Sequence, residues 1–519
     1  MTAQMPRSLG HMRVGSLFKT AAVRHPDREA VFCAGTGRRV TFKQLNSRVN
    51  QLAHALASCE LEREAVVAFV CSNRLEILEI YGAIAKSGLV GLPLNYRLAH
   101  AELALLINEI GAVVLFLEDR FEAALPYLRA HCAKLKHVVW IGAEAPQDCW
   151  SYGEVLAMGA VTEPDVAVEE SAPFYFNLTS GTTGLPKAYV ITHYSACALL
   201  SALLSNESKA DDVLLTIFPA FGRVAFGCLL MTILIGARNV LANFEPGEAA
   251  RLIEQERVTF VWLVPTMAAL LLGAPDIERR GLGSLRGIGF VGAALPPAIL
   301  ERSIQRLCPR IYEGYGLQEA GMVTVSNPED RARKPGSVGL PVLHSEIRIV
   351  DGDGEPAASG ASGEIVVRSP NCITGYHGDP VRNAAAFRSG WFHTGDLGRV
   401  DADGYLYLCG RVKDMIISGG QNVYAAEIEA TLTAMPGVED CAVIGMPHDL
   451  WGEAVTAVIV AHPHASLDAA AVQAFCRRAL AAFKVPKSVF FQEDALPRTV
   501  TGKVQKFLLV ARYAKAAGP

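Results

Sequence analysis

The chain has 519 residues, 51% hydrophobic and 19% charged, with a formal net charge of −4. That length allows roughly two to four domains and at least one large core, and a pI near 6.4 without a basic stripe argues against nucleic-acid binding. The uncharged apolar run at residues 224–237 falls short of the roughly 20 residues that span a bilayer and reads as a buried strand or helix.

The N-terminus shows no signal-peptide core. Residues 41–58 read as an amphipathic helix. Phe42, Leu45, Val49, Leu52 and Leu56 recur at spacings of three and four, and Thr41 with Gln44 forms a capping box. "AVVAFV", a helix from Arg74, "GLVGLPLN", a helix from His100 and "AVVLFL" follow. "VLLTIFP", "RNVLAN", "TFVWLVP" and "RGIGFVG" continue the alternation, which predicts mostly parallel sheets covered on both faces. From about Gly336, short runs such as "EIRIVD", "GEIVVRS" and "GYLYLCGR" between turn residues suggest hairpins or a small barrel. After Gly410 a compact α+β domain of about 105 residues is expected, with helices in "AAEIEATLTAM" and "DAAAVQAFCRRALAAF". The 12 cysteines stand singly from Cys33 to Cys476, so a reducing cytoplasm fits better than a disulfide framework or a zinc site.

The stretch "TSGTTGLPKA", Thr179 to Ala188, is too polar and glycine-rich for a core. It is not a P-loop, because Pro186 precedes Lys187 and Ala188 follows it, and it is not a dinucleotide fingerprint. Its glycine-turn amides, four hydroxyls and one lysine still suit an anion.

This string resembles the phosphate loop of the adenylate-forming superfamily of acyl-CoA synthetases, peptide-synthetase adenylation domains and beetle luciferases. "YGLQE" at 315–319, "WFHTGDLG" at 391–398, "GRVKDMIISGGQNV" at 410–423 and "PRTVTGK" at 497–503 follow in that family's order. The resemblance implies an α/β N-terminal domain over 1–409 with mostly parallel sheets and a small barrel-like part. A hinge at 410–414 and a small mobile α+β domain over 415–519 would follow.

It further implies ATP, Mg2+ and coenzyme A as reactants. Thr179, Ser180, Gly181, Thr182, Thr183, Gly184 and Lys187 would cradle the departing phosphates, and Glu319 with Thr179 would bind magnesium. Gly292, Ala293 and Ala294, with Glu313, Gly314, Tyr315 and Gly316, would line the adenine and acyl sites, where glycine lets flat ligands approach the backbone. Asp396 would accept the ribose hydroxyls, and Arg411 would contact the ribose or α-phosphate region. Lys503 would serve adenylation, and Lys413 marks the hinge. Gly419 and Gly420 would flank a thiol tunnel. Arg97, Trp451, Phe483 and Lys484 would bind CoA.

With no carrier-protein segment before Pro519, free CoA is the expected acceptor. A carrier-protein or other acceptor and a non-catalytic adenylate binder remain as alternatives, and a homodimer stays open. Three departures from the family pattern stand out: Ala188 after the loop lysine, Ala425 where proline is usual, and Gly222–Arg223 where a histidine lines the acyl pocket. With Phe221 and Phe290 lining that pocket, Arg223 has two readings. It holds a second anion of the substrate, a distal carboxylate or sulfonate, or it points outward along a strand or pairs with an internal acid.

Overall fold

In the computed structural model, which describes residues 12–179, 187–275, 277–418, 421–448, 451–498 and 504–514, the expected capping box closes at the start of the helix Phe42–Ala57. The Thr41 hydroxyl accepts from the Gln44 amide and the Gln44 side chain accepts from the Thr41 amide. All five apolar residues read at helical spacing are buried.

Packing divides the chain into two units, one of residues 1–329, 341–346 and 368–392, the other of residues 330–340, 347–367 and 393–519. The first holds two large sheets. One is ordered Trp150–Ser151, His137–Ile141, Ala112–Glu118, Val66–Val70, Val90–Pro93, Pro173–Thr179, Lys187–Thr192. Its pairs are parallel except the last, which is an antiparallel hairpin. In the other, eight neighbouring strands run Gly321–Ser326, Ile311–Leu317, Gly287–Phe290, Phe260–Leu263, Val213–Thr216, Arg238–Leu241, Glu29–Cys33, Arg38–Thr41, antiparallel only at the two ends. Central strands such as Val66–Val70 are buried at every position, as a sheet covered on both faces requires.

The second unit carries the short strands read after Gly336, with Leu406–Arg411 antiparallel to Trp391–Val400. It also carries a C-terminal sheet ordered Gln421–Tyr424, Met415–Ser418, Gly452–Ala461, Val438–His448, with Ser488–Phe491 parallel to Gly452–Ala461. The helix read over "DAAAVQAFCRRALAAF" covers only Ala469–Ala479, because Leu480 turns to an extended backbone. Among the described residues, no helix is long and apolar enough to cross a membrane.

The uncharged run at 224–237 is the helix Arg223–Ile235, buried almost all round, so Arg223 opens a helix rather than lying on a strand. Asn73 fixes the approach to that helix. Its amide nitrogen donates to Phe218 O at 2.7 Å and Ala242 O at 2.8 Å, and its oxygen accepts from Ala220 N at 2.7 Å. One buried side chain thus joins the turn after a strand of one sheet to the ends of two strands of the other.

Asn73→Ala strands three main-chain groups in a dry environment and should cost about 3 kcal/mol, at about 1 kcal/mol or more for each orphaned group. The first thermal transition should fall clearly below that of the wild type. An unchanged transition temperature would contradict this role.

Candidate active site

The glycine-rich stretch connects the two strands of a hairpin, with Thr179 opposite Lys187 in register. Residues 180–186, and with them Ser180, Gly181, Thr182, Thr183 and Gly184, lie outside the described residues, as do Gly419, Gly420 and Lys503. Ala188, the first departure, pairs with Leu178 across the hairpin, and its carbonyl accepts from His377 N at 2.9 Å.

"YGLQE" runs off the strand Ile311–Leu317 into the turn before Gly321–Ser326. Gly316 is needed there for a reason other than ligand approach: a Cβ would lie 2.2 Å from Gly321 O across the ladder. Gly314 is similar, its Cβ site lying 2.6 Å from the Met322 sulfur. Tyr315 is buried, whereas Gly316 is exposed and Glu313 half-buried. Gly292, Ala293 and Ala294 are exposed just beyond the strand Gly287–Phe290, and Gly292 takes φ +85°, a conformation that favours glycine.

Glu319 sits on the turn and is held at two points. Its carbonyl accepts from Ile373 N at 2.8 Å, and its carboxylate accepts from the Tyr376 hydroxyl at 3.0 Å. Burial and the neighbouring carboxylate both raise the Tyr376 phenol well above its ordinary range, so it stays a donor. Beside Glu319, the Gln318 side-chain oxygen accepts from the Tyr189 hydroxyl at 3.2 Å.

Among the described residues, no group of three or more His, Cys, Asp or Glu could hold a metal by itself. Mg2+ characteristically takes one or two carboxylates and completes its shell with water and substrate phosphate oxygens. A lone half-buried carboxylate with one oxygen already oriented by a hydroxyl fits that demand.

In the second unit, Asp396 and Arg411 are cross-strand partners, with Arg411 Nε 3.0 Å from the Asp396 carboxylate. The turn before Asp396 is fastened by Glu364, which accepts from Gly395 N at 3.0 Å and lies 2.8 Å from His393 Nδ1. Lys413 lies in the short 3-10 turn Val412–Asp414. The second family departure, Ala425, opens the helix Ala425–Thr433.

The CoA candidates differ among themselves. Trp451 is 39% exposed and has Lys487 Nζ 5.5 Å from its ring centroid. Phe483 is 37% exposed, but Lys484 beside it is bound by Glu427 at 2.6 Å. Arg97 is exposed, over the Tyr96 ring.

The acyl-pocket candidates lie in different settings. Phe221 is half-buried and meets Tyr96 edge-on at 5.4 Å, and Gly222 is the N-cap of the helix Arg223–Ile235. Phe290 is fully buried in the core cluster that contains Leu263, Ile288 and Ile311. Arg223 is 3% exposed, and its two terminal nitrogens donate to the carbonyls of Gln318 and Asn371. Sequence reasoning missed Tyr376, Asn371, Glu364 and Lys487. Only the tyrosine and glutamate had a local signal, as polar residues beside a glycine turn or in an alternating strand.

Residues 18–377 match the model of the AMP-binding enzyme family, and residues 427–503 match that of the AMP-binding enzyme C-terminal domain. Feruloyl-CoA synthase of an Amycolatopsis species is 36% identical over 93% of this chain and 95% of its own. The indoleacetate–CoA ligase of Aromatoleum aromaticum is 35% identical over 93% of each. The crystal structure of ATP-bound MatB from Rhodopseudomonas palustris superposes with a TM-score of 0.87 at 29% identity, covering 97% of this chain and all of that one. The chain therefore belongs to the AMP-binding enzyme family and, within the adenylate-forming superfamily, to its branch of AMP-forming acid–CoA ligases.

Proposed function

We propose that the protein joins a carboxylic acid to coenzyme A through an acyl-adenylate, using the residues named above for the two half-reactions. The observation that carries this reading is Glu319, a half-buried acid fixed by the Tyr376 hydroxyl on the turn that the family's "YGLQE" motif occupies. A carboxylate is a poor acyl donor, because its leaving group would be oxide. Attack of its oxygen on the α-phosphorus of ATP expels pyrophosphate and makes that oxygen part of AMP, a good leaving group. The CoA thiol then attacks the acyl carbon and AMP departs. The first step brings two anions together, so positive charge and fixed donors dominate catalysis.

In this reading the hairpin loop holds the departing phosphates, with Lys187 at its end. Glu319 and Thr179 would hold Mg2+, which neutralises phosphate charge when bound. Asp396 accepts from the ribose hydroxyls, and Arg411, already on its carboxylate, steadies it there. Lys503 offsets the repulsion between acid and α-phosphate. Residues 410–414 act as a hinge between domains at 1–409 and 415–519, presenting Lys503 for adenylation and then the Gly419–Gly420 face for thiol attack. Trp451, Phe483 and Arg97 suit the CoA nucleotide, and Lys484 joins them only by leaving Glu427.

The acid is a monocarboxylate in this reading. Arg223 is buried and already donates from each terminal nitrogen to a main-chain carbonyl, which leaves it poorly placed for a second anion. A cytoplasmic setting agrees with the twelve unpaired cysteines. A homodimer is compatible with the reading and nothing in the fold calls for it.

The assay is pyrophosphate release and CoA consumption over a panel that starts from ferulate, indoleacetate and a long-chain fatty acid, with dicarboxylates beside monocarboxylates of matched length. A carboxylate that drives both is the expected result. Pyrophosphate release without CoA consumption would point to another acceptor, and ATP binding without release to a non-catalytic binder.

Lys503→Ala should lower acyl-AMP formation by roughly 10²–10³-fold, the usual loss for one electrostatic stabiliser, and largely spare thioester formation from supplied acyl-AMP. Equal loss of both half-reactions would remove Lys503 from this role. Gly420→Leu should do the reverse, blocking thiol attack and sparing adenylation. Glu364→Ala frees the turn that carries Asp396 and should raise the KM for ATP about tenfold with little change in melting temperature. A wild-type KM would separate that turn from nucleotide binding.

A further inference from the structure

A buried arginine without a carboxylate is an expensive object. Moving an unpaired charge out of water costs several kcal/mol unless other groups replace its hydration. Arg223 is such a group. Among the described residues no carboxylate lies within ion-pair distance of its guanidinium, and its Nε has no hydrogen-bond partner. What it does meet is main chain: Nη1 donates to Gln318 O and Nη2 to Asn371 O.

These two carbonyls belong to the two segments that hold Glu319. Gln318 immediately precedes it on the turn. Asn371 lies two residues before Ile373, whose amide binds the Glu319 carbonyl, and five before Tyr376, whose hydroxyl binds the Glu319 carboxylate. Space between them is tight, since a Cβ on Gly321 would lie 3.2 Å from Arg223 Nη2 and 3.1 Å from Asn371 Cβ. The Asn371 side chain is fully buried, and neither of its polar atoms finds a partner among the described residues. Beside the direct bonds that Ile373 and Tyr376 make to Glu319, the guanidinium therefore adds a further cross-link between the segments.

We infer that Arg223 is a positioning residue for Glu319: its planar fork ties the turn before the acid to the segment that orients the carboxylate from the other side. Two rigid donors at a fixed spacing set the distance between the two segments, which a lysine, as a single point donor, does not reproduce. The helix start matters for the same reason. Gly222 as N-cap, and Asn73 on Phe218 O and Ala220 N, aim the first side chain of the helix at these carbonyls. The consequence for the reaction is a Glu319 carboxylate held in one orientation before magnesium and ATP arrive.

This inference rests on Glu319 being the magnesium ligand, so its test separates the two claims. Amide hydrogen exchange is measured on the ligand-free full chain for the wild type, Arg223→Met and Arg223→Lys, at peptides covering 316–321 and 371–374. The Mg2+ concentration for half-maximal acyl-AMP formation is measured for the same proteins and for Glu319→Gln. In Arg223→Met the Ile373 amide should exchange about tenfold faster while the rest of the large unit keeps its protection. The Mg2+ requirement should rise about tenfold with little change in the KM for the acid, and Arg223→Lys should fall between. Wild-type exchange at both segments, or equal acceleration throughout the large unit, overturns the clamp. Faster local exchange with an unchanged Mg2+ requirement overturns its link to Glu319. An unchanged requirement in Glu319→Gln overturns the magnesium role itself and leaves the exchange result to judge the clamp.

Discussion

Asn73 is the joint on which the large unit turns. Each of its side-chain hydrogen bonds goes to a main-chain group that neither sheet could satisfy, because Phe218, Ala220 and Ala242 lie past the ends of their strands. A buried main-chain group left unpaired is costly enough that such ends seldom go without a partner. The amide supplies that partner from the neighbouring sheet and so fixes how the two sheets meet. The path from Phe218 to Gly222 follows from it, reinforced by the Tyr81 hydroxyl on Ala220 O at 3.1 Å. That path delivers Arg223 to the back of the Glu319 turn.

The same logic of oriented polar groups recurs where the chemistry is expected. Glu319 is set by a hydroxyl and an amide, and Asp396 by a cross-strand arginine on a turn fastened by Glu364. Joining a carboxylate to a nucleotide triphosphate is opposed mainly by charge repulsion and by loss of freedom. Acids and donors held still before the substrates arrive reduce both costs.

Much of the fold was legible where the cause is local. The capping box and the spacing of Phe42, Leu45 and Val49 specify a helix without tertiary information, and apolar runs flanked by helices specify a doubly covered parallel sheet. The run after Arg223 could not be assigned, because a helix buried on all sides shows no periodicity, and its length alone separates it from a strand. Motif order singled out Glu319, Asp396 and Arg411 as candidates, but not the Tyr376 hydroxyl and Glu364 carboxylate that fasten the turns around them. Asn73, Asn371 and Tyr376 act on residues 57 to 169 positions away, or through main-chain atoms that have no sequence signature. Gly316 shows the same limit in reverse. The glycine invites a ligand-based reading, and its nearest constraint is a carbonyl on the facing strand.

The central claim is that the acid is activated as an acyl-adenylate. Its most direct test follows the carboxylate oxygen. With acid labelled by oxygen-18 in its carboxyl group, the account predicts one labelled oxygen in the phosphate of the AMP released for each thioester formed. Label appearing in inorganic phosphate or pyrophosphate, or AMP released without label, would contradict it.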